Sequence, residues 1–351
     1  MACASDSLSF GGLLGGLKRL FPPALLSGDG LERLLVVAER LPLCVIDRPF
    51  GFEFALCTEA ADADFCVISA PGSSLAAHYI RAGAAAPSGS AAAALGACLA
   101  RNARGPASFL AGRDGSIILE YDVPAHSREE PPPPGIFFVP VGASVDAARK
   151  LLDDPADTVA ALWAAAGLRA DAAELRQVER VYEVFSDAAL VVQAGVLPGR
   201  PRRAVRLVVH RIDTAELPGL LDRLRWPGCA DTALSVTAAT NDLTSPGAVL
   251  SLDVSASGIS PRLGLELFRP VQPFPVDRTG WRPMIERLTD RRWCAPAKAE
   301  GLRAWPRAER VLGPHGVYRV YQYINHIKAV VDHGRIVAKA YAAMVARRFD
   351  G

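Results

Sequence analysis

The sequence predicts an α+β protein in which mainly antiparallel sheet, flanked by helices, forms the core. Two patterns indicate this class. Several strand-like runs follow one another across short turns of Ser, Pro and Gly, and such turns join antiparallel neighbours. The regular strand–helix–strand alternation of a parallel, doubly wound sheet is missing. A shared Gly-apolar-Glu-apolar order at residues 51–54 and 264–267 allows two related lobes. We place an N-terminal α+β lobe at residues 1–168 and a C-terminal one at residues 169–351.

The predicted elements of the N-terminal half follow from capping patterns and hydrophobic alternation. Helices are predicted to begin near Asp29, Ser73 and Ser90, each followed by apolar residues at helical spacing. Residues 127–135 contain four consecutive prolines, which exclude both a helix and a sheet interior and predict an exposed loop. The strand-like runs are Phe50–Leu56, Phe65–Ser69, Ser116–Val123 and Ile136–Val141.

The C-terminal half continues with two predicted helices, one from Pro155 and one from Asp171 to Phe185. Further helices are predicted near residues 213–224, 281–288 and 296–305. Residues 234–268 contain three short alternating runs that predict an antiparallel meander, and the chain closes with a β-hairpin. The predicted strands are Ala188–Val196, Ala204–Ile212, Leu234–Thr240, Ala248–Ser255, Arg262–Phe268, Tyr318–Val331 and Arg335–Met344.

Composition narrows the classes of function. The chain has 351 residues, of which half are hydrophobic, so it is long enough to bury a substantial core. Its 39 basic and 37 acidic residues leave a formal charge of +2, which argues against nucleic acid or an anionic membrane as a partner.

Cysteine usage and the N-terminus predict a cytoplasmic protein. The seven cysteines are odd in number and no two have C-x-x-C spacing, which is typical of reduced thiols. The first residues lack the layout of a signal peptide. The longest uncharged run, at residues 82–100, consists largely of Ala, Gly and Ser and is too weakly apolar for a membrane span.

The familiar signatures of cofactor and metal sites are missing. There is no G-x-G-x-x-G, P-loop, G-x-S-x-G or H-E-x-x-H sequence, and the histidines and cysteines lack the spacing of zinc or iron ligands. We therefore expect no cofactor and no metal, and the sequence identifies no catalytic residue.

The C-terminal hairpin carries the most suggestive pattern of polar residues. With its turn at residues 332–335, Lys328 faces Lys339 and His326 faces Tyr341, all on one face of the sheet. Like charges directly opposite each other are unfavourable unless water or an anion separates them. The pattern therefore predicts either an anion or carboxylate site, or a solvated outer face on an edge hairpin.

A second polar face runs along the predicted meander, and the same two interpretations apply. It is either the solvent side of a one-faced sheet, or part of a groove or barrel shared with the hairpin. Arg206 and His210 alternate in the same way and could join such a groove. The tyrosine-rich residues 318–323 are typical both of peptide-binding surfaces and of ordinary strand faces. The polar face itself consists of Ser251, Asp253, Ser255, Arg262 and Glu266.

Several segments of the last hundred residues resemble a bacterial family found near natural-product gene clusters. They are residues 258–266 (GISPRLGLE), the run from Trp281 to Leu288, Cys294 with Pro296 and Lys298, Trp305-Pro306, residues 324–328 (INHIK) and residues 338–341 (AKAY). Within that family the chain is most similar to the peptide-binding proteins of crocagin biosynthesis, in which a ribosomally made peptide becomes a pyrroloindoline alkaloid.

The resemblance implies a protein that binds the leader or core of a precursor peptide and presents it to other maturation enzymes, or assists its cyclisation. A homodimer is allowed. An extended peptide could add to an exposed strand, and Lys328 and Lys339 would bind its acidic residues or terminal carboxylate. The predicted peptide-binding or anion-binding residues are Lys328, Lys339, His326, Tyr341, Tyr323 and Arg262.

The alternative from another class is an enzyme, an aromatic prenyltransferase whose α-β-β-α repeats close an antiparallel barrel. Alternating Lys, Arg and Tyr inside such a barrel would hold a prenyl diphosphate. The C-terminal hairpin has that alternation, whereas the N-terminal half supplies few matching basic positions. A purely structural subunit is a third interpretation.

Overall fold

The computed structural model describes residues 9–103, 115–123, 132–140, 155–185, 190–200, 202–270, 276–313 and 316–349. Short 3₁₀ segments at residues 18–20, 43–47 and 241–243 accompany the longer helices. The α-helices of these ranges are α1 Phe10–Gly16, α2 Gly28–Ala38, α3 Ser74–Ala85, α4 Ala91–Ala103, α5 Pro155–Ala165, α6 Ala172–Phe185, α7 Leu217–Arg223, α8 Ala230–Thr240, α9 Arg282–Asp290 and α10 Pro296–Ala304.

All the described strands belong to one antiparallel sheet that closes on itself. The closed ring runs β11-β1-β2-β3-β4-β5-β6-β7-β8-β10, and β10 pairs again with β11, which leaves β9 as an added strand beside β10. The strands are β1 Phe50–Ala55, β2 Ala63–Ser69, β3 Gly115–Tyr121, β4 Gly135–Pro140, β5 Leu190–Val196, β6 Val205–Ile212, β7 Ala248–Ser255, β8 Gly258–Leu267, β9 Arg307–Gly313, β10 Gly316–Asp332 and β11 Arg335–Arg348.

One structural unit recurs five times along the chain. Two helices precede each hairpin of the ring, from α1 and α2 before β1 and β2 to α9 and α10 before β10 and β11. Several of these helices begin with a serine cap: the side chains of Ser9, Ser27 and Ser73 each accept a hydrogen bond from the backbone N–H three residues later. Because neighbouring strands run antiparallel around the ring, the strand ends that the hairpins join lie at one end of the barrel, and those that the helical connections join lie at the other.

The hydrophobic core lies between the outer face of the barrel and the surrounding helices. Along β1, Phe50, Phe52 and Phe54 point outwards, and the rings of Phe52 and Phe54 pack at 5.9 and 5.3 Å from that of Trp305 at the end of α10. Burying a side chain of this size stabilises the fold by roughly 1.5–3 kcal/mol. Because side chains alternate along a strand, the residues between these aromatics point into the barrel.

This closed barrel corrects the predicted fold class. We expected sheets with flanking helices, perhaps in two related lobes, whereas one ring of ten strands encloses an interior. The predicted strands do pair antiparallel. The first and last strands of the sheet also pair and close it into a barrel, which the sequence pattern alone does not specify. The predicted boundary at residue 168 lies in the connection between α5 and α6 and stays a prediction.

One predicted strand of the meander is a helix. Residues 234–240 belong to α8, where Ala233, Val236 and Thr240 are buried at helical spacing. Their β-branched residues suggested a strand, but the hydroxyl of Thr240 donates to the carbonyl of Val236 four residues earlier, so it is satisfied within the helix. Within the described ranges, no helix has the length and apolar character needed to cross a membrane.

The C-terminal hairpin is not an edge of the sheet. β10 pairs with β8 along residues 327–331, and β11 pairs with β1 along residues 339–344. The interpretation of this hairpin as a solvated edge is therefore wrong. Over these residues the neighbouring strands satisfy the backbone groups, which leaves no free strand edge there for an added peptide.

Candidate functional site

The barrel interior holds a cavity of about 340 Å³ whose lining changes along its length. The end near the hairpin turns is charged, and the end near the helical connections is mostly aromatic and apolar. A smaller space of about 20 Å³ lies deeper among the charged groups, and Arg206, Lys328 and Tyr341 line both. We call these two regions the charged end and the aromatic end.

The predicted register of the C-terminal hairpin is confirmed. Lys328 is paired with Lys339, and His326 is paired with Tyr341. All four side chains point into the barrel, because Ile327, Ala338 and Ala340 on the opposite face pack under the helices. Whether these residues bind an anion or a peptide stays a prediction.

The second polar face meets the first inside the barrel. Arg206 on β6 pairs in register with Asp253 on β7, and Arg262 and Glu266 line the neighbouring strand β8. Of the two interpretations of this polar face, solvent side or shared barrel, the shared barrel is therefore the one that matches the structure.

Most cations of the charged end are held by carboxylates. Arg206 donates from Nε and Nη2 to the two carboxylate oxygens of Asp253 at 2.7 and 3.0 Å, a bidentate pair. Lys339 donates to Glu53, and Arg200 bridges Glu120 and Asp122 at 2.9 and 2.8 Å. Cations and carboxylates thus nearly balance, which keeps this polar interior stable without a bound ligand.

Lys328 is the most deeply buried cation of this region. Its side chain is 7% exposed, and Nζ donates to Ser251 at 2.8 Å and to Glu266 at 3.3 Å. Gly264 makes this reach possible, since a Cβ there would lie 2.3 Å from the Lys328 Cε. Burial lowers the pKa of Lys328, although attraction to Glu266 opposes this effect.

Arg262 differs from the other four cations. Its side chain is half-buried and lines the deep end of the interior beside Arg200 and Arg206. Throughout the part of the chain that the structure describes, no carboxylate forms an ion pair with its guanidinium. Arg262 is therefore the cation most available to an incoming anion.

Two carboxyls on adjacent strands line the main cavity, level with Tyr341, and their pKa values are shifted in opposite directions. Burial alone raises the pKa of Glu53, but Lys339 and the Tyr341 hydroxyl outweigh it and lower this pKa to about 2. Asp64, directly opposite Glu53, has no ion pair among the described residues, and burial and the charge of Glu53 outweigh the attraction of Lys339, so its pKa rises to about 7. Burial also raises the pKa of Glu120 on β3.

A stack of rings leads from the aromatic end towards the charged end. The ring of His326 lies 4.7 Å from that of Phe268 and 4.3 Å from that of Tyr341, and His210 lies 5.9 Å beyond Phe268. Lys328 Nζ is 5.9 Å from the Tyr341 ring. Burial lowers the pKa of His326 to about 4, so the imidazole is neutral near pH 7.

A β-bulge in β10 sets which side chains enter the cavity. The register shifts between Ile324 and His326, and both Asn325 and His326 line the interior. The Asn325 amide lies 3.1 Å from Nδ1 of His326. Because one extra residue is inserted here, Tyr323 above the bulge and Lys328 below it face the same cavity.

The structure brings together all six predicted site residues. The main cavity is lined by Lys328, His326, Tyr341 and Tyr323. The smaller space among the charged groups is lined by Lys339 and Arg262. The sequence analysis missed the acidic residues of the N-terminal half and Arg200. A signal was present, since Glu53 and Glu120 alternate with buried hydrophobic residues on predicted strands, and Asp64 directly precedes a third.

A closed antiparallel barrel ringed by helices, with a charged and aromatic interior, defines a class of fold that known structures share. The chain is similar to the crystal structure of AnaPT from Neosartorya fischeri, with a TM-score of 0.53 and 11% sequence identity over 97% of this chain and 94% of that one. No family model and no curated protein matches the chain. In the described residues, no three or more His, Cys, Asp or Glu side chains are grouped to hold a metal ion.

Proposed function

We propose that the protein is an aromatic prenyltransferase, which binds a prenyl diphosphate and an aromatic acceptor together inside the barrel. The observation that carries the proposal is one barrel interior that joins the charged end, where Arg262 has no carboxylate partner among the described residues, to the aromatic end. The likeness to AnaPT, a fungal aromatic prenyltransferase, supports it at the level of the fold.

The two ends of the cavity suit the two parts of such a reaction. Guanidinium and ammonium groups stabilise a departing diphosphate, because they donate charge-assisted hydrogen bonds to its oxygens. Aromatic faces attract a cation, so the ring of Tyr341 beside Lys328 suits the positive charge that develops on the prenyl group. The apolar walls of the aromatic end would hold the acceptor ring and exclude water.

Cavity size favours a diphosphate position at the boundary between the two ends. The deep space of about 20 Å³ has room for roughly one water molecule, whereas the main cavity of about 340 Å³ can hold a small ligand. A diphosphate at the boundary would contact Arg206 and Lys328, which line both spaces. Arg262 would then supply charge that no carboxylate neutralises.

Thermal shift with defined ligands tests the proposal. We expect dimethylallyl or geranyl diphosphate to raise the melting temperature more than inorganic phosphate does, since the prenyl chain also buries apolar surface. A transfer assay by mass spectrometry with tryptophan, tyrosine and tryptophan-containing peptides should then detect a prenylated acceptor. If the prenyl diphosphates do not stabilise the protein and no acceptor is prenylated, the proposed function is refuted. Stabilisation by a precursor peptide alone would instead favour the peptide-binding hypothesis.

The substitution Arg262→Gln tests the placement of the diphosphate. It removes a cation without leaving a buried carboxylate unpaired, so the fold should tolerate it. Losing one charge-assisted interaction of about 1.5–3 kcal/mol should weaken diphosphate binding by roughly ten- to hundredfold. Lys18→Gln is the matched control, since Lys18 is exposed on the outer surface. Equal affinity of Arg262→Gln and the wild type would remove Arg262 from the binding site.

A further inference from the structure

We propose that Asp64 accepts the proton that an aromatic acceptor loses when its ring is prenylated. This inference rests on the function proposed above and assigns a further catalytic residue to it. Asp64 lines the main cavity from β2, directly opposite Glu53 on β1. Side chains paired in this way have Cβ atoms about 5 Å apart, so both carboxyls can approach one ligand.

The hydrogen bonds of the two carboxyls differ. Glu53 is bound by Lys339 and by the Tyr341 hydroxyl, which leaves it little capacity to take up a proton. Asp64 accepts the backbone N–H of Val123 on Oδ1 at 2.9 Å. For Oδ2 the described ranges provide no hydrogen-bond partner, so this oxygen is available to a molecule in the cavity.

The charges around Asp64 favour proton exchange near neutral pH. Glu53 faces it from β1, Glu120 and Asp122 from β3 and its end, and Lys339 from β11. Cys66 follows on its own strand, with its thiol protonated because burial raises its pKa to about 12. Burial, together with the charges of Glu53 and Asp122, raises the pKa of Asp64 to about 7, although the Val123 N–H and Lys339 oppose this effect. A group with such a pKa can both gain and lose a proton at working pH.

The other titratable groups of the cavity suit this role less well. The imidazole of His326 lies between the rings of Phe268 and Tyr341, both its nitrogens already have neighbours, and its pKa of about 4 makes it a weak base. Lys328 is occupied by Ser251 and Glu266. Asp64 combines an available oxygen with a suitable proton affinity.

The proposed step balances as follows. The carbon–oxygen bond of the prenyl diphosphate breaks, and its electron pair leaves with the diphosphate. An electron pair of the acceptor ring forms the new carbon–carbon bond to the prenyl carbon. The electron pair of the ring C–H bond then restores aromaticity, and the proton passes to the carboxylate of Asp64, which later releases it to water.

The test compares Asp64→Asn and Asp64→Glu with the wild type in the prenyl transfer assay. Asn imitates the protonated carboxyl in shape and charge, so substrate binding should remain while kcat falls by about 100-fold or more. Glu should restore part of the activity. Wild-type kcat should rise as the pH increases through about 7, and this rise should be lost in Asp64→Asn. Asp222→Asn, on the exposed surface of α7, is the control.

Two further results separate the inference from the proposed function. A primary deuterium isotope effect at the substituted ring position should appear in Asp64→Glu, where proton loss becomes slow. A wild type that transfers the prenyl group while Asp64→Asn keeps its kcat and pH profile would overturn the role of Asp64 alone. A wild type without transfer to any aromatic acceptor would overturn both.

Discussion

The two ends of the barrel interior are built from the same ten strands but depend on different forces. At the charged end, buried ions such as Lys328 and Glu266 satisfy one another through short contacts. At the aromatic end, rings such as Phe268 and His326 stack, and few polar contacts hold them. Removing one member of a buried ion pair costs more than trimming a ring, because the remaining charge is left without a partner. The charged end should therefore be rigid and intolerant of change, and the aromatic end more adaptable.

The largest effect is expected from Lys328→Met. The substitution leaves the buried Glu266 carboxylate without its ammonium partner, beside the imidazoles of His326, 3.8 Å away, and His210, and should cost about 3–5 kcal/mol of unfolding free energy. Denaturant unfolding measures it. The double variant Lys328→Met with Glu266→Gln should recover much of the loss, while Lys18→Met on the surface should change little. A loss below about 1 kcal/mol for Lys328→Met would mean that the charged end is well solvated.

A smaller effect, dependent on pH, is expected from Asp64→Asn. The folded-state pKa of Asp64 is raised from 3.8 to about 7, so its contribution to stability is full below pH 4 and is lost as the pH rises through 7. Between pH 5 and 7 the wild type should lose about 2 kcal/mol more than the variant does, because asparagine does not ionise. Melting curves across this range would show the difference. Parallel curves would contradict the raised pKa.

The smallest effect is expected from Phe268→Leu at the aromatic end. The change removes the ring that lies 4.7 Å from His326 and should cost about 1 kcal/mol of stability. If the acceptor ring binds beside Phe268, the KM for the acceptor should rise several-fold in the variant while kcat stays near the wild-type value. Phe349→Leu is a control, because that ring is 47% exposed outside the barrel. A stability loss as large as that of Lys328→Met would contradict the contrast between the two ends.

The sequence predicted most individual strands and the register of the C-terminal hairpin, because both depend on local patterns. The alternation that places Lys328 and Lys339 on one face is intrinsic to strands. Closure into a barrel depends on which distant strands pair, such as β1 with β11, and no local pattern specifies this. The added strand Arg307–Gly313 was missed, since its residues are largely exposed and lack hydrophobic alternation.

Because local patterns do not specify which distant strands pair, the sequence allows two interpretations of the polar faces. A polar face that alternates with a hydrophobic one looks alike whether it meets solvent or the inside of a barrel. Only the burial of groups such as Glu53 and Lys328, at 8% and 6% exposure, separates the two. The acidic residues of the N-terminal half were missed for this reason, although Glu53 and Glu120 stand at inward positions of predicted strands and Asp64 directly precedes one.

The bulge at Asn325 makes the length of β10 as important as its composition. Deleting this single residue would move one part of the strand by half a pleat, so that either Tyr323 would turn towards the helices or Lys328 would be driven into the hydrophobic shell. The two parts also have different neighbours, β9 before the bulge and β8 after it. An insertion or deletion at this point would thus exchange the inward-facing and outward-facing side chains of one part of β10, whereas a substitution would leave their directions unchanged.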